Sequence, residues 1–300
     1  MTRTISLGAG TVIELSPPDM VSCAAEAGYS HVGLRLLPVR PEDATHPIIG
    51  NTPMRRELLG RLAATGVKVM DIEFIRITSE SVTSDFLPMM ESGARLGAQH
   101  ILAAGYDADE VRLTERFADL CDAAASFGMS LNLEPIPIPP RVTLQTLAQA
   151  RRVLAAVGRS NSGVVIDPIH FDRAGERIDD LPLLPHKWLH YMQFCDAPAA
   201  RPADSAVRLF QARFERKIPG EGGLDLLEIL RGLPRDLPIS VEVPLAALAR
   251  SVGAVERARR NLVATRAMLA RLEEMDRNAP WTCESLQGNS MLLDSISSSN

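Results

Sequence analysis

Aromatic side chains are scarce, at 4% of 300 residues. So few rings leave little for stacking nucleobases. A net charge of −5 offers no general attraction for nucleic acid or anionic lipid. The four cysteines, Cys23, Cys121, Cys195 and Cys283, include no Cys-x-x-Cys pair and suggest no disulfide framework. Scattered thiols fit a reducing compartment. No apolar run is long enough to span a bilayer. The opening residues, Met-Thr-Arg-Thr-Ile-Ser, carry no apolar signal-peptide core. A cytoplasmic protein with neither a membrane nor a nucleic acid as partner is expected. No Gly-x-Gly-x-x-Gly follows the first strand-like run, so the dinucleotide-binding fingerprint is missing.

What is present is alternation. Hydrophobic residues make up 46% and charged residues 23%, the balance of a globular chain able to bury a sizeable core. Eight β-rich runs fall at residues 5–13, 31–36, 68–77, 100–106, 130–136, 163–169, 190–196 and 238–244. Helical stretches lie between most of them, at 16–27, 53–65, 84–96, 109–127, 143–157, 224–233 and 251–275, with a shorter connection at 178–187. Ser16-Pro17-Pro18-Asp19 reads as an N-cap, a proline in the first turn and an early acid. Gly28, Gly66, Gly97, Gly128 and Gly158 each follow a helical run, where a C-cap glycine belongs. Eight strand–helix units predict an α/β fold, a (β/α)8 TIM barrel over residues 1–275, rather than a doubly wound open sheet. Residues 276–300 lose the pattern and predict a mobile tail, with Trp281 and the apolar run 291–293 as its docking elements if it docks at all.

In such a barrel, chemistry sits at the C-terminal ends of the strands. Four of these ends are polar. Alternation of side chains puts Asn132 and Glu134 on one face of the fifth strand, and Ser240 and Glu242 on one face of the eighth. Asp167 ends the sixth, and Tyr191, Gln193 and Cys195 share a face of the seventh. Prolines just after Glu134, Asp167 and, one residue later, Glu242 mark strand exits. Any one of these acids alone reads as a strand-end cap. Together, three carboxylates aimed at one axis repel one another, and burial raises their pKa. A divalent cation such as Mg²⁺ or Mn²⁺ resolves both problems.

The segments Leu133-Glu134-Pro135, Val165-Ile166-Asp167-Pro168-Ile169-His170, Tyr191 to Pro198, Pro219-Gly220-Glu221-Gly222 and Ser240-Val241-Glu242 carry a resemblance. Over roughly residues 1–275 the chain resembles the sugar phosphate isomerase/epimerase superfamily of xylose isomerase-like TIM barrels. The resemblance implies one divalent metal ion held by Glu134, Asp167, Gln193 and Glu242. Ketose 3-epimerases of this group place His where this chain has Gln193, and a further substrate-binding Glu where it has Pro140. Gln193 followed by Asp196-Ala197-Pro198 looks more like 3-dehydroshikimate dehydratases, as do the Asp167-x-x-His170 spacing and the Arg213–Gly222 stretch. Endonuclease IV-type relatives need three metals and more histidines. This chain has six, of which His170 alone lies at a strand end.

The resemblance implies enediolate chemistry on a small polyhydroxylated carbonyl compound. Glu134, Glu242 or His170 would move the proton, and dehydration or isomerisation would follow. Arg213 and Arg216, expected in the loop after the seventh strand, suit a substrate carboxylate or phosphate, as against a solvated charged loop. Glu73 and Arg76 end the third strand, with Arg35 in the second, and line the pocket or form a supporting ion pair. Cys195 reads as a packing residue. The alternatives are a sugar isomerase or epimerase proper, a non-catalytic metabolite-binding barrel and a phosphodiesterase. A homo-oligomer is left open.

Overall fold

The computed structural model describes residues 3–40 and 43–278. Eight parallel strands form one sheet: β1 (Ile5–Leu7), β2 (His31–Arg35), β3 (Lys68–Ile77), β4 (His100–Gly105), β5 (Ser130–Leu133), β6 (Ser162–Val164), β7 (Met192–Phe194) and β8 (Ile239–Val241). Their order is β6-β5-β4-β3-β2-β1-β8-β7, so β1 pairs with both β2 and β8, as in the expected barrel. The sheet curls until β6 and β7 meet. No ladder joins these two strands among the described residues. The Gln193 backbone N–H donates to the Ile166 carbonyl across this seam at 3.1 Å.

The helices are α1 (Pro17–Ala27), α2 (Pro53–Thr65), α3 (Thr83–Arg95), α4 (Glu110–Ser126), α5 (Leu147–Val157), α6 (Pro168–Arg173), α7 (Ser205–Phe214), α8 (Leu226–Arg231), α9 (Ala246–Ala249) and α10 (Ala254–Asn278). Their punctuation is as predicted. The Ser16 hydroxyl accepts the Asp19 N–H, and Pro17 opens α1. Gly28, Gly66, Gly97, Gly128 and Gly158 all have positive φ, the conformation that closes a helix most cheaply with glycine.

Two apolar layers follow from strand alternation. Residues such as Val32, Leu34, Ile72, Ile101, Leu131 and Met192 face the helices. Met70, Phe74, Leu102, Val165 and Tyr191 fill the barrel interior. Each such side chain contributes about 1.5–3 kcal/mol by leaving water. Below them His100 and His190 stack, their ring centroids 5.9 Å apart, with His190 Nδ1 2.7 Å from Asn132 Oδ1.

Several expected boundaries need correction. The run 5–13 is a three-residue strand followed by a 3₁₀ turn over Ala9–Val12. The chain bends inward there: a Cβ on Gly10 would lie 2.7 Å from Glu242 Oε1, so only glycine lets the backbone pass that close. The run 163–169 splits because Asp167 leaves the sheet and caps α6, its Oδ1 accepting the Ile169 N–H at 3.1 Å. Arg213 lies in α7, not in a loop. Asp204 caps that helix through the N–H groups of Ala206 and Val207. Helix α10 runs to Asn278, past the expected break at 276. The rest of the expected tail, with Trp281, Cys283 and the run 291–293, lies outside the described residues.

Candidate active site

A pocket of about 1180 Å³ opens at the C-terminal ends of the strands. Glu73, Arg76, Glu134, His170, Gln193, Arg213, Arg216 and Glu242 all line it. Asp167, only 2% exposed, is bonded to the wall through Arg216. The sequence-predicted residues thus converge on one cavity from β3, β5, β7, β8, α6, α7 and the segments that follow these strands. They divide into three groups.

The first is the acid cluster. One ligating atom each of Glu134, Asp167 and His170 lie within 4.8 Å of one another. This is a tighter group than the four positions carried over from the resemblance. Glu242 is tied to Asp167 through Arg216, whose Nη1 meets Asp167 Oδ2 at 2.8 Å and whose Nη2 meets Glu242 Oε2 at 3.1 Å. Arg216 also donates to the Glu242 backbone carbonyl at 3.0 Å. Arg35 touches Glu73 at 3.2 Å and approaches Glu242 at 3.8 Å.

The electrostatics follow from this crowding. Burial pushes the Glu134 carboxyl well above its ordinary range, and Asp167 and Glu242 add to the shift. Burial and Glu73 raise Glu242 to about 7, against the opposing pull of Arg216 and Arg35. Asp167 is also buried, but Arg216 and His170 outweigh that and leave it lowered. His170 Nε2 sits 3.8 Å from Glu134 Oε1. The distance suggests an ion pair, yet burial drives the imidazole down to about 4, with Asp167 opposing, so we read the contact as neutral at physiological pH. Gln193 Oε1 is buried without a hydrogen-bond partner among the described residues. An orphaned amide oxygen in the same pocket as these carboxylates matches the donor set of a hard divalent cation.

The second group is a cationic and apolar wall. Arg76 donates to the Val39 carbonyl and stacks over Tyr106 at 4.6 Å. Arg213 pairs with Asp43 at 3.1 Å. Sequence reasoning passed over Tyr106 and Arg141, both of which line the pocket. Tyr106 ends a strand-like run and was legible there; Arg141 sits in a loop with no periodic signal. Pro140 is exposed and does not line the pocket.

The third is a support that sequence motifs hinted at without explaining. Asp196 Oδ2 accepts the N–H groups of Gly220 and Gly222 at 3.0 and 2.9 Å. Its Oδ1 accepts those of Ala197 and Leu224 at 2.8 and 3.1 Å. The Asp-Ala-Pro and Pro-Gly-Glu-Gly segments are therefore one unit, which anchors the loop carrying Arg216. Gly222 has to be glycine here, because a Cβ would fall 2.2 Å from Asp196 Oδ1. Asp196→Ala strips four N–H groups of their acceptor, one of these bonds buried and three part-buried, and is expected to lower stability by about 3 kcal/mol. Urea unfolding would check this, and an unchanged midpoint would remove the anchoring role. Cys195 Sγ lies 3.4 Å from Asp167 Oδ1, and burial raises its thiol well above the usual range, which leaves it a packing residue.

Known proteins share this architecture. A family profile described as xylose isomerase-like TIM barrel matches residues 21–269. A curated inosose isomerase of Bacillus velezensis is 28% identical over 173 residues, which cover 54% of this chain and 59% of the relative. The chain thus spans well under two thirds of that relative's length. Among solved structures, the IolI protein with a bound zinc atom superposes with a TM-score of 0.72 at 20% identity, covering 90% of this chain and 99% of that one. The probable 3-DHS dehydratase AsbF from Bacillus anthracis gives a TM-score of 0.64 at 17% identity, covering 88% and 98%. At these identities the structural likenesses establish the fold alone. No described helix is long and apolar enough to cross a membrane.

Proposed function

The chain belongs to the xylose isomerase-like TIM barrel family, and on that premise we propose that it is a divalent-metal-dependent enzyme forming an enediolate from a small polyhydroxylated carbonyl compound. The observation that carries this is the buried cluster of Glu134, Asp167 and His170, with Gln193 Oε1 unpartnered in the same pocket. Glu134, Asp167, Gln193 and Glu242 would hold the ion, with His170 within reach as a further donor. A divalent ion there would polarise the substrate carbonyl and lower the cost of removing the neighbouring C–H proton.

The chain's own groups supply the rest. Glu134 and Glu242 reach the pocket from non-adjacent strands, and either carboxylate takes the proton. His170, neutral and buried, passes a proton between Nε2 and a substrate oxygen. Arg216 keeps Asp167 and Glu242 at fixed spacing. The inosose isomerase relative and the zinc-bound IolI structure support a metal-dependent reaction on a sugar-like ketone. Gln193 and the exposed Pro140 favour loss of a β-hydroxyl over reprotonation on a second face, since an epimerase needs an acid on each side of the intermediate.

A Mn²⁺-supplemented screen of keto-sugars, keto-inositols and 3-dehydroshikimate in D₂O tests the reading. Dehydration gives a product lighter by one water. Isomerisation gives an isomeric product that carries solvent deuterium to the extent that the proton exchanges. No metal-dependent turnover of any of these classes would remove the proposal.

A further inference from the structure

The pocket has a second pole that the acid cluster does not use. Most of its arginines are already matched: Arg35 by Glu73, Arg213 by Asp43, Arg216 by Asp167 and Glu242, and Arg257 by Glu14. Arg76, Arg141 and Arg250 have no such match among the described residues; Arg250 closes α9 after β8, whereas Arg76 and Arg141 belong to β3 and the segment after β5. Arg76 spends one Nη on a backbone carbonyl, and its Nε is buried with no hydrogen-bond partner among the described residues. Arg141 makes no ion pair or side-chain hydrogen bond among the described residues. Burial raises the phenol of Tyr106, Arg76 opposes the rise, and Glu134, Arg213 and Arg141 all act on it. Arg76, Tyr106 and Arg141 line the same pocket as Glu134 and Glu242. Ile136, Ile138 and Val142 supply apolar surface in that pocket.

A guanidinium left without an anion in a concave, partly apolar wall is a ready-made receptor for an oxyanion. We infer that Arg76 and Arg141, which line the pocket together with Tyr106, bind an anionic group of the substrate, so that the substrate is a polyhydroxylated carbonyl compound bearing a carboxylate or a phosphate at a distance from its reacting carbons. The inference deepens the proposed function and rests on it for the identity of the reacting end. The binding of the anion itself needs only this chain's arginines.

Three ring probes separate the cases: quinate for a carboxylate, myo-inositol 1-phosphate for a phosphate and myo-inositol for the neutral skeleton. Calorimetric titration into Mn²⁺-loaded and into EDTA-treated protein should show one or both anionic probes binding on the order of tenfold or more tighter than myo-inositol in both preparations. The tighter of the two identifies the group. Arg141→Gln and Arg76→Gln should each weaken the anionic probe without changing the weak binding of myo-inositol, and Arg76→Lys should recover part of the loss. Arg141 is exposed, so its variant keeps the test decisive if Arg76→Gln fails to fold. Equal affinity for all three probes, or an anion preference that survives in Arg141→Gln and in the folded Arg76 variants, overturns the inference. A preference that persists in metal-free protein without any turnover would uphold it while removing the enediolate chemistry.

Discussion

Glu134→Gln is expected to reduce turnover by about a thousandfold or more and to leave the barrel folded. The side chain sits at the exit of β5, only 4% exposed, among Asp167, His170 and Glu242. Gln keeps its shape and removes its charge. Loss of one negative ligand and of a candidate base should therefore fall on chemistry and metal affinity together. Stability should move the other way. Burial and two like charges raise the Glu134 pKa, so keeping it ionised near neutral pH costs the folded state free energy that the unfolded chain does not bear. Between the ordinary carboxylate range and that raised value, stability falls as pH rises, and the amide removes this dependence. Metal-free Glu134→Gln should thus melt at or above the wild-type temperature near neutral pH. Turnover under saturating Mn²⁺, with melting curves in EDTA, checks both halves. Wild-type turnover in this variant would show that Glu134 is neither ligand nor base.

Arg216→Met is expected to be the most damaging single change to stability at the site. Arg216 is 4% exposed and holds one oxygen each of Asp167 and Glu242, as well as the Glu242 carbonyl. Met fills similar volume without charge and leaves buried acids facing one another. Breaking a buried pair from one side costs about 3–5 kcal/mol, and metal-free protein should lose that much in urea unfolding at neutral pH. Two conditions should narrow the gap. Lower pH protonates the abandoned carboxylates. Added Mn²⁺ supplies the missing positive charge, so the ion should stabilise Arg216→Met more than it stabilises the wild type. Equal stability of variant and wild type in EDTA would mean that this network contributes nothing to the fold. A normal metal-free loss that Mn²⁺ leaves unchanged would place the ion away from Asp167 and Glu242.

Much of this protein was legible before any tertiary structure. Period-two alternation set which side chains point inward, and so Asn132, Glu134, Gln193, Ser240 and Glu242 were placed correctly toward the barrel axis or mouth. Helix signals are equally local: Ser16 reaches an N–H three residues on, and Gly28 or Gly66 closes a helix within its own turn. Local chemistry also misled in places. The run 5–13 has strand composition, yet the backbone bends at Gly8 and Gly10 because Glu242 lies across the mouth. The helix carrying Arg213 went unread although Asp204 marks its start and apolar residues recur along it, because the Pro-Gly-Glu-Gly turn just beyond it reads as the end of a loop.

By itself, then, the sequence determined the strand–helix succession and the acids at the strand exits, because both depend on contacts within a few residues. Only the tertiary structure decided what those acids touch. Arg216 meets Asp167 across 49 residues, Arg213 meets Asp43 across 170, and Arg35 meets Glu73 across 38. It also brought Arg76 and Arg141, from the exits of different strands, into one pocket, where neither has a carboxylate partner among the described residues. Such pairings depend on how far the sheet curls and on which loop covers which strand end, and neither is a property of any local stretch of chain.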